Sequence, residues 1–522
     1  MANLTVLKTY SLDMPADFTG GSVRLNTCQM PTRFIFSASA ISGFNSQSTF
    51  RSRPTYPGGT TNWLGTDDGG RKLPARIGPT RVDNQNPADN EAKAESLSQQ
   101  GRRLQESFTP PHTTLSLVVG NQHQIAERPL RWLVAASYGR RYDRHSETQA
   151  LYLLDADSLQ PKFKFDGTRS TEVITLSTLG TLTYQIAQGH RLGFTGLLAC
   201  RTDDETPQLQ GFEQERNIIQ ALSTARWVER MLTFGQLVGE HRIQEPELRW
   251  QFFAGRARRD EPNFLTVYET PPKRISTARL DDGTNHFFAS QREDLKGGGL
   301  DYDLPIDRDK TIKIKVGGMG QWKDRIFGSK RFRFQQQRGA GCAEVLLLPI
   351  NQLLSPANAG QCMLLGENTN PTDAYTADQR VLAAYLMSDV SLSKRVRLSI
   401  GSRLEDGRLS LISRDPFNPQ APPVEGGYQQ TDMLPATSIV LSLGDRSHLR
   451  LAATCTVARP QLQEVVPFAL FQDFFNAIRI RGNPRLDRSK ITNLDLRYEF
   501  FPTADEVVAG SIFYKSFEKP IC

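Results

Sequence analysis

Three features predict an all-β fold, an antiparallel up-and-down barrel of the transmembrane kind. They are period-two hydrophobic alternation, a regular exchange of short and long connections, and the absence of any long apolar run. The longest apolar run, around Val345–Ile350, is far shorter than the roughly 18 residues a membrane helix needs. A mean hydropathy of −0.44 does not argue against a barrel, because alternating strands hide their apolar face from such averages.

The alternation recurs along the chain. Ile312, Ile314 and Val316 alternate with Lys313 and Lys315, and Leu398 and Ile400 with Arg397 and Ser399. Leu449, Leu451, Ala453, Cys455 and Val457 alternate with Arg450, Ala452, Thr454 and Thr456. Leu494, Leu496, Tyr498 and Phe500 do so with Asp495, Arg497 and Glu499. Each strand then has one apolar and one polar face, as in a soluble sandwich or a lipid-facing barrel.

The connections decide between these. Tight turns fall at Ala187–His190, Lys394-Arg395, Gly444–Ser447 and Pro502–Glu506. Between them lie long polar stretches, near 51–112, 143–172, 202–222, 259–308, 338–378, 415–428 and 458–490. Short turns on one side and long loops on the other are the pattern of an outer-membrane barrel. About 15 strands are expected, from near Arg33 to near Ser516, with soft boundaries. The polar stretch Pro87–Glu106 could be helical and is read as a decoration inside the first outer loop.

The charge of +7 comes from 63 basic and 56 acidic residues spread along the chain, without a basic block interleaved with aromatics. No nucleic-acid partner is expected. The seven histidines have no metal-ligand spacing, so no metal or cofactor is expected. Gly317-Gly318-Met319-Gly320 lacks the Lys-Ser/Thr of a phosphate loop, and no G-x-S-x-G elbow occurs. An enzyme is therefore not expected.

Of six cysteines, Cys342 and Cys362 lie 20 residues apart in one polar stretch. They form either a loop disulfide in an oxidising compartment, worth on the order of 3 kcal/mol, or two unpaired thiols. The start, Met1-Ala2-Asn3-Leu4-Thr5, has no basic and apolar regions of a secretory signal peptide.

Near the N-terminus, Lys8–Val23 contains Pro15, Asp17, Phe18 and the pair Gly20-Gly21. Its chemistry is a turn running into a strand, with the glycines allowing positive φ or close backbone approach. The segment resembles the last turn and strand of the plug domain in TonB-dependent outer-membrane receptors. Further motifs in family order carry the resemblance along the chain. Trp63–Gly69 with Arg71-Lys72-Leu73-Pro74 is similar to a first outer loop. Glu229-Arg230, Gly239-Glu240-His241, Arg259-Asp260-Glu261-Pro262, Lys315-Val316-Gly317-Gly318 and Lys323-Asp324-Arg325 resemble mid-barrel segments. Thr454–Val457 with Ala458-Arg459-Pro460, then Gly482-Asn483-Pro484, Asn493–Glu499 and Ser511–Lys515, resemble the family's later strands.

The resemblance implies a remnant of the plug over residues 1–32 and a partial barrel over 33–522. Large plugged transporters have about 22 strands, so roughly seven are expected beyond the present ones, and the TonB box and plug core upstream. It also implies active uptake of a scarce solute, of the iron-siderophore, cobalamin or glycan class, across the outer membrane of a Gram-negative bacterium. The partners implied are outer-membrane lipid and the TonB-ExbB-ExbD energy-coupling complex. The incomplete chain alone is not expected to transport. A passive outer-membrane channel, an adhesive or phage-binding surface protein, and a non-functional truncated product are the alternatives.

Residue by residue, Pro15, Asp17, Phe18, Gly20 and Gly21 are expected at the plug–barrel junction. Arg459-Pro460 reads as a strand end with the arginine facing water, and Gly482-Asn483-Pro484 as a turn. The loop aromatics Tyr56, Trp63, Phe287 and Phe288 are candidate cargo contacts, with loop packing as their other role.

Overall fold

The computed structural model describes the chain except residues 1–2, 27–30, 84–85, 99–103, 156, 215–216, 271–283, 308, 310, 338–341, 343, 349, 419, 467–468, 472–478, 504–505 and 522. Fifteen antiparallel strands form one continuous sheet, each paired with its neighbours in chain order. They are β1 (Ile35–Gly43), β2 (His112–Ile125), β3 (Arg128–Asp155), β4 (Ser158–Ala187), β5 (His190–Glu213) and β6 (Ile218–Arg242). Next come β7 (Glu247–Glu269), β8 (Thr284–Pro305), β9 (Ile312–Gln336), β10 (Ala374–Ser393) and β11 (Val396–Ser413). The path ends with β12 (Val424–Gly444), β13 (Ser447–Ala458), β14 (Ser489–Phe500) and β15 (Val508–Glu518). A sixteenth strand, Met363–Glu367, adds to the upper end of β9. The barrel is not closed: among the described residues β1 and β15 are not paired with each other.

One end of the sheet carries only short connections. Ala126 and Glu127 join β2 to β3 with φ of 49° and 61°, the doubly left-handed turn that matches strand twist. Gly189, at φ 78°, turns β4 into β5. The other end differs from the sequence expectation. The stretches 143–172 and 202–222 are not loops: β3 and β4 run 28 and 30 residues and meet at a tight tip, and β5 continues to Glu213. The stretch 259–308 contains the whole of β8. A crossing uses only about 9–11 residues, so these hairpins rise far above any membrane. Their residues look loop-like because polar pairs replace apolar alternation there. Arg169 bonds Glu147 on the neighbouring strand at 2.8 Å and Glu205 at 3.2 Å.

Lower on the sheet the faces separate cleanly. Leu182, Phe194, Leu237 and Phe252 stand side by side across β4–β7, all exposed on one face. The opposite face is polar, with Ser137 and Ser177 hydrogen-bonded across β3 and β4 at 2.8 Å. In an outer-membrane barrel the apolar face meets lipid and the polar face a wet interior.

Two other parts lie against the sheet. An N-terminal hairpin pairs Asn3–Leu7 with Ser22–Asn26. The 44–111 connection holds a short hairpin of Ser52–Thr55 with Gln105–Phe108, and a helix, α1 (Pro87–Ser98), inside the stretch read as possibly helical.

Candidate functional site

The segment between the N-terminal strands makes one turn, where Met14 N donates to Ser11 O at 3.0 Å, and its burial alternates. Tyr10, Leu12, Met14, Ala16 and Phe18 are buried, while Asp13, Pro15 and Asp17 point outward. The buried row packs on Tyr385, Met387, Leu434 and Val457 of the sheet. Backbone pairing locks the end: Val457 N donates to Ala16 O at 3.0 Å, and Phe18 N to Val457 O at 3.2 Å. The Thr456 hydroxyl donates to Phe18 O at 2.9 Å, and Lys515 Nζ of β15 to Thr19 O at 2.8 Å. Gly21 serves close approach rather than positive φ, since a Cβ there would stand 3.1 Å from Leu7 O.

Beneath this segment sits a buried ionic cluster. Glu405 Oε1 accepts from Ala16 N at 3.0 Å and from Arg403 Nε at 2.6 Å. Its Oε2 accepts from Arg459 Nη2 at 2.7 Å, and Arg403 Nη1 donates to Leu12 O at 3.1 Å. Glu405 is fully buried and Arg403 is 1% exposed. One carboxylate thus serves two guanidiniums, and Arg403 and Glu405 each also hold tail backbone, the pairing that buried ions require.

The expectation that Arg459 faces water is overturned. Arg459 is buried, reaches Glu405, and its backbone N donates to Asp17 Oδ1 at 3.4 Å. The desolvated guanidinium is tolerated because Glu405 neutralises it. Two motifs 442 residues apart thus meet at one junction. Gly482-Asn483-Pro484 packs elsewhere, on the 464–466 segment: Gly482 N donates to Val466 O at 3.0 Å and Asn483 N to Glu464 O at 2.6 Å. A Cβ at Gly482 would lie 2.4 Å from Val466 O, so only glycine fits.

The 44–111 connection makes a second packed region. On β4, β5 and β6 the faces that carry Leu182, Phe194 and Leu237 below carry Glu172, Asp204 and Trp227 above, and this connection covers them. Its anchor is Arg71, 1% exposed, with its guanidinium 4.1 Å from the Trp227 ring centroid and 5.6 Å from that of Tyr56. Arg71 Nη1 donates to Asn62 Oδ1 at 2.8 Å and Asp67 Oδ1 at 2.9 Å. Asp67 N in turn donates to Glu229 Oε1 at 2.5 Å. Asp204 lies some 14 residues up β5 from its lower end, about 36 Å and so above the apolar band. Burial pushes its carboxyl up to about 6, against the pull of the Tyr56 hydroxyl and the Arg71 guanidinium.

The four loop aromatics are dispersed. Tyr56 is buried in the Arg71 cage. Phe288 lies in a core with Phe332, Phe334, Leu97 of α1 and Met363. Phe287 is half-buried, edge-on to Phe264 and under the Arg331 guanidinium at 4.8 Å. Trp63 stays exposed, its carbonyl accepting from the Tyr138 hydroxyl at 2.7 Å. Cys342 and Cys362 are disulfide-bonded, with Cα atoms 5.3 Å apart, in the connection that completes the Phe288 core. No group of three metal-ligating side chains occurs among the described residues.

Sequence reasoning missed Glu405, Arg403 and Trp227, and it takes Asp203-Asp204 for solvated turn residues in a loop, whereas both lie buried on β5. The only available signal for the first two was a pair of opposite charges two apart on one strand face, which any wet barrel wall also shows.

Residues 364–519 match the outer membrane protein beta-barrel family. No curated protein matches the chain by sequence. Among solved structures it is similar to the siderophore receptor PiuA from Acinetobacter baumannii, at 9% identity and a TM-score of 0.45, over 77% of this chain and 55% of that one. The FpvAI–pyocin S2 complex is similar at 11% identity and 0.44, over 77% and 47%. The outer membrane transporter YddB from Escherichia coli follows at 9% and 0.37, over 98% and 64%. The chain thus spans about half the length of the first two, and likenesses this loose bear on neither ligand nor activity. The match to the outer membrane protein beta-barrel family thus falls on β10–β15, the last six strands of the continuous antiparallel sheet.

Proposed function

We propose that this chain forms part of an energised uptake system, a receptor that takes a scarce solute of the iron-siderophore, cobalamin or glycan class across the outer membrane. The observation that carries the reading is the tail. Residues 10–19 lie along the polar wall and are held by Glu405, Arg403 and Arg459, with backbone bonds only at one end. A passive pore gains nothing from a segment anchored in its interior. A gated transporter needs one, because a pull from the periplasmic side must act on chain that is seated in the barrel yet separable from it. The TonB-ExbB-ExbD complex is the partner this reading requires.

Uptake of radiolabelled ferric siderophores, cobalamin and oligosaccharides by cells with and without the gene tests it. Loss of one class on deletion, and equal loss on inactivating TonB or adding a protonophore, is the expected result. Gene-dependent uptake that survives both treatments replaces the transporter with a passive channel.

A further inference from the structure

Large side chains ridge the apolar face, and small residues interrupt them where several strands place glycine or alanine in one row. A depression of about 700 Å³ opens across β5–β8, with Gly196, Gly235 and Ala254 as its floor and Arg256, Asp294 and Lys296 at one end. Gly196, Gly235, Ala254 and Lys296 are register partners, so floor and lysine form one row across four strands. Immediately below stand Phe194, Leu237 and Phe252, which make its lower rim apolar and partly aromatic.

Lys296 is the informative member. It is exposed and has no acidic partner among the described residues, whereas its neighbours Arg256 and Arg292 both bond Asp294. Its place gives its depth. Nine residues separate it from Pro305 at the short-turn end, about 23 Å along a strand tilted ~40°, close to the outer edge of a ~25 Å apolar band. Its cross-strand neighbour is Trp322, a residue type that collects at that boundary. The floor lies only six or seven residues above its own short turns, nearer mid-band. An unpaired ammonium at headgroup depth above an apolar trough fits an amphiphile with its anion outward and its chain inward.

We propose that this trough binds one outer-leaflet lipid A molecule, an acyl chain lying over Gly196 and Gly235 and a phosphate on Lys296. The proposal rests on the membrane-spanning reading of the sheet. Arg256 contributes a second cation shared with Asp294, so Lys296 supplies the charge that is free to pair.

The test uses the full chain, extracted from its outer membrane in mild detergent and moved into phosphatidylcholine nanodiscs doped with either lipid A or phosphatidylglycerol. Native mass spectrometry counts the retained lipid. Wild type is expected to keep one lipid A, and Lys296→Gln to lower its occupancy at limiting lipid about ten-fold, as for a lost charge-assisted hydrogen bond. Gly235→Leu fills the trough with the cation intact. A Cβ there meets only a ring carbon of Phe194 at 3.9 Å, so the variant should fold and still lose the lipid. Arg292→Gln is expected to leave occupancy unchanged. Equal retention by wild type and both trough variants, or equal retention of phosphatidylglycerol, overturns the proposal. Failure of the wild type to give a heat-modifiable, membrane-inserted band would instead overturn the barrel reading beneath it.

Discussion

The N-terminal segment and the 44–111 connection both pack against the sheet, but by different physics. The first adds backbone and charge to its buried apolar row: Val457 pairs with it as a bridge, and one carboxylate, Glu405, pairs with two guanidiniums while accepting from Ala16 N. The second is seated through side chains, with Arg71 between aromatic rings and a core of Ile77, Val82, Ala94 and Leu97 on Phe288, Phe332 and Phe334. The contrast concerns release. Where one carboxylate ties two guanidiniums and a backbone amide, its loss releases all three ties at once, whereas a seat made by apolar side chains alone gives way only by local unfolding.

The largest expected effect follows. Glu405→Ala strands two buried guanidiniums and removes the acceptor for Ala16 N, a loss of about 3–5 kcal/mol from tail docking. Hydrogen exchange across residues 10–19 should speed up while exchange across 51–112 stays slow. Equal protection of the tail in variant and wild type would show that the backbone bridge at Val457 suffices.

Arg71→Ala is the converse, with a smaller expected loss of about 3 kcal/mol confined to the outer connection. The loss is smaller because Asp67 keeps two backbone donors, Gly69 N at 2.9 Å and Arg71 N at 3.3 Å. Trp227, stripped of its cation and exposed from above, should report through its fluorescence. Arg71→Lys restores charge without the flat stack and should recover only part. A spectrum unchanged in Arg71→Ala would mean that the apolar core alone holds this connection in place.

The two regions were unequally legible. The tail could be read because Pro15, Asp17 and Gly20-Gly21 have backbone roles that leave a mark in any sequence. Its partner could not, since Arg403-Leu404-Glu405 is simply the polar half of an alternating strand and lies 389 residues from Ala16. The strand path itself was legible from alternation wherever one face meets lipid. Above the band both faces are polar or covered, as with Glu147, Arg169 and Glu205 across β3–β5, and alternation disappears although the ladder continues. That is why 143–172 reads as loop and folds as strand. The Arg71 cage was hidden for a further reason: Asp204 and Trp227 belong to it only because two strands run on above the membrane to meet it.

The smallest effect separates the regions by pH. Burial holds Asp204 at about 6, above its ordinary 3.8, so the docked connection binds that proton more tightly than the free one does. The sign then follows: docking is strongest with Asp204 protonated, and it weakens as pH rises from about 4 through about 6, by on the order of 2–3 kcal/mol at most. Asp204→Asn keeps the shape and removes the titration, so the variant should dock more tightly than wild type at neutral pH and match it under acid. The other carboxyls facing the cage are Glu172, paired with Arg53 and Arg140, Asp67, paired with Arg71, and Glu229, which burial also pushes up. A slope that remains in Asp204→Asn and disappears in the double variant with Glu229→Gln belongs to Glu229. Hydrogen exchange of 51–74 against pH is the measurement. Identical profiles for wild type and Asp204→Asn would remove Asp204 from the account and leave the outer connection as a purely side-chain-packed seat, which would sharpen its contrast with the charge-seated tail.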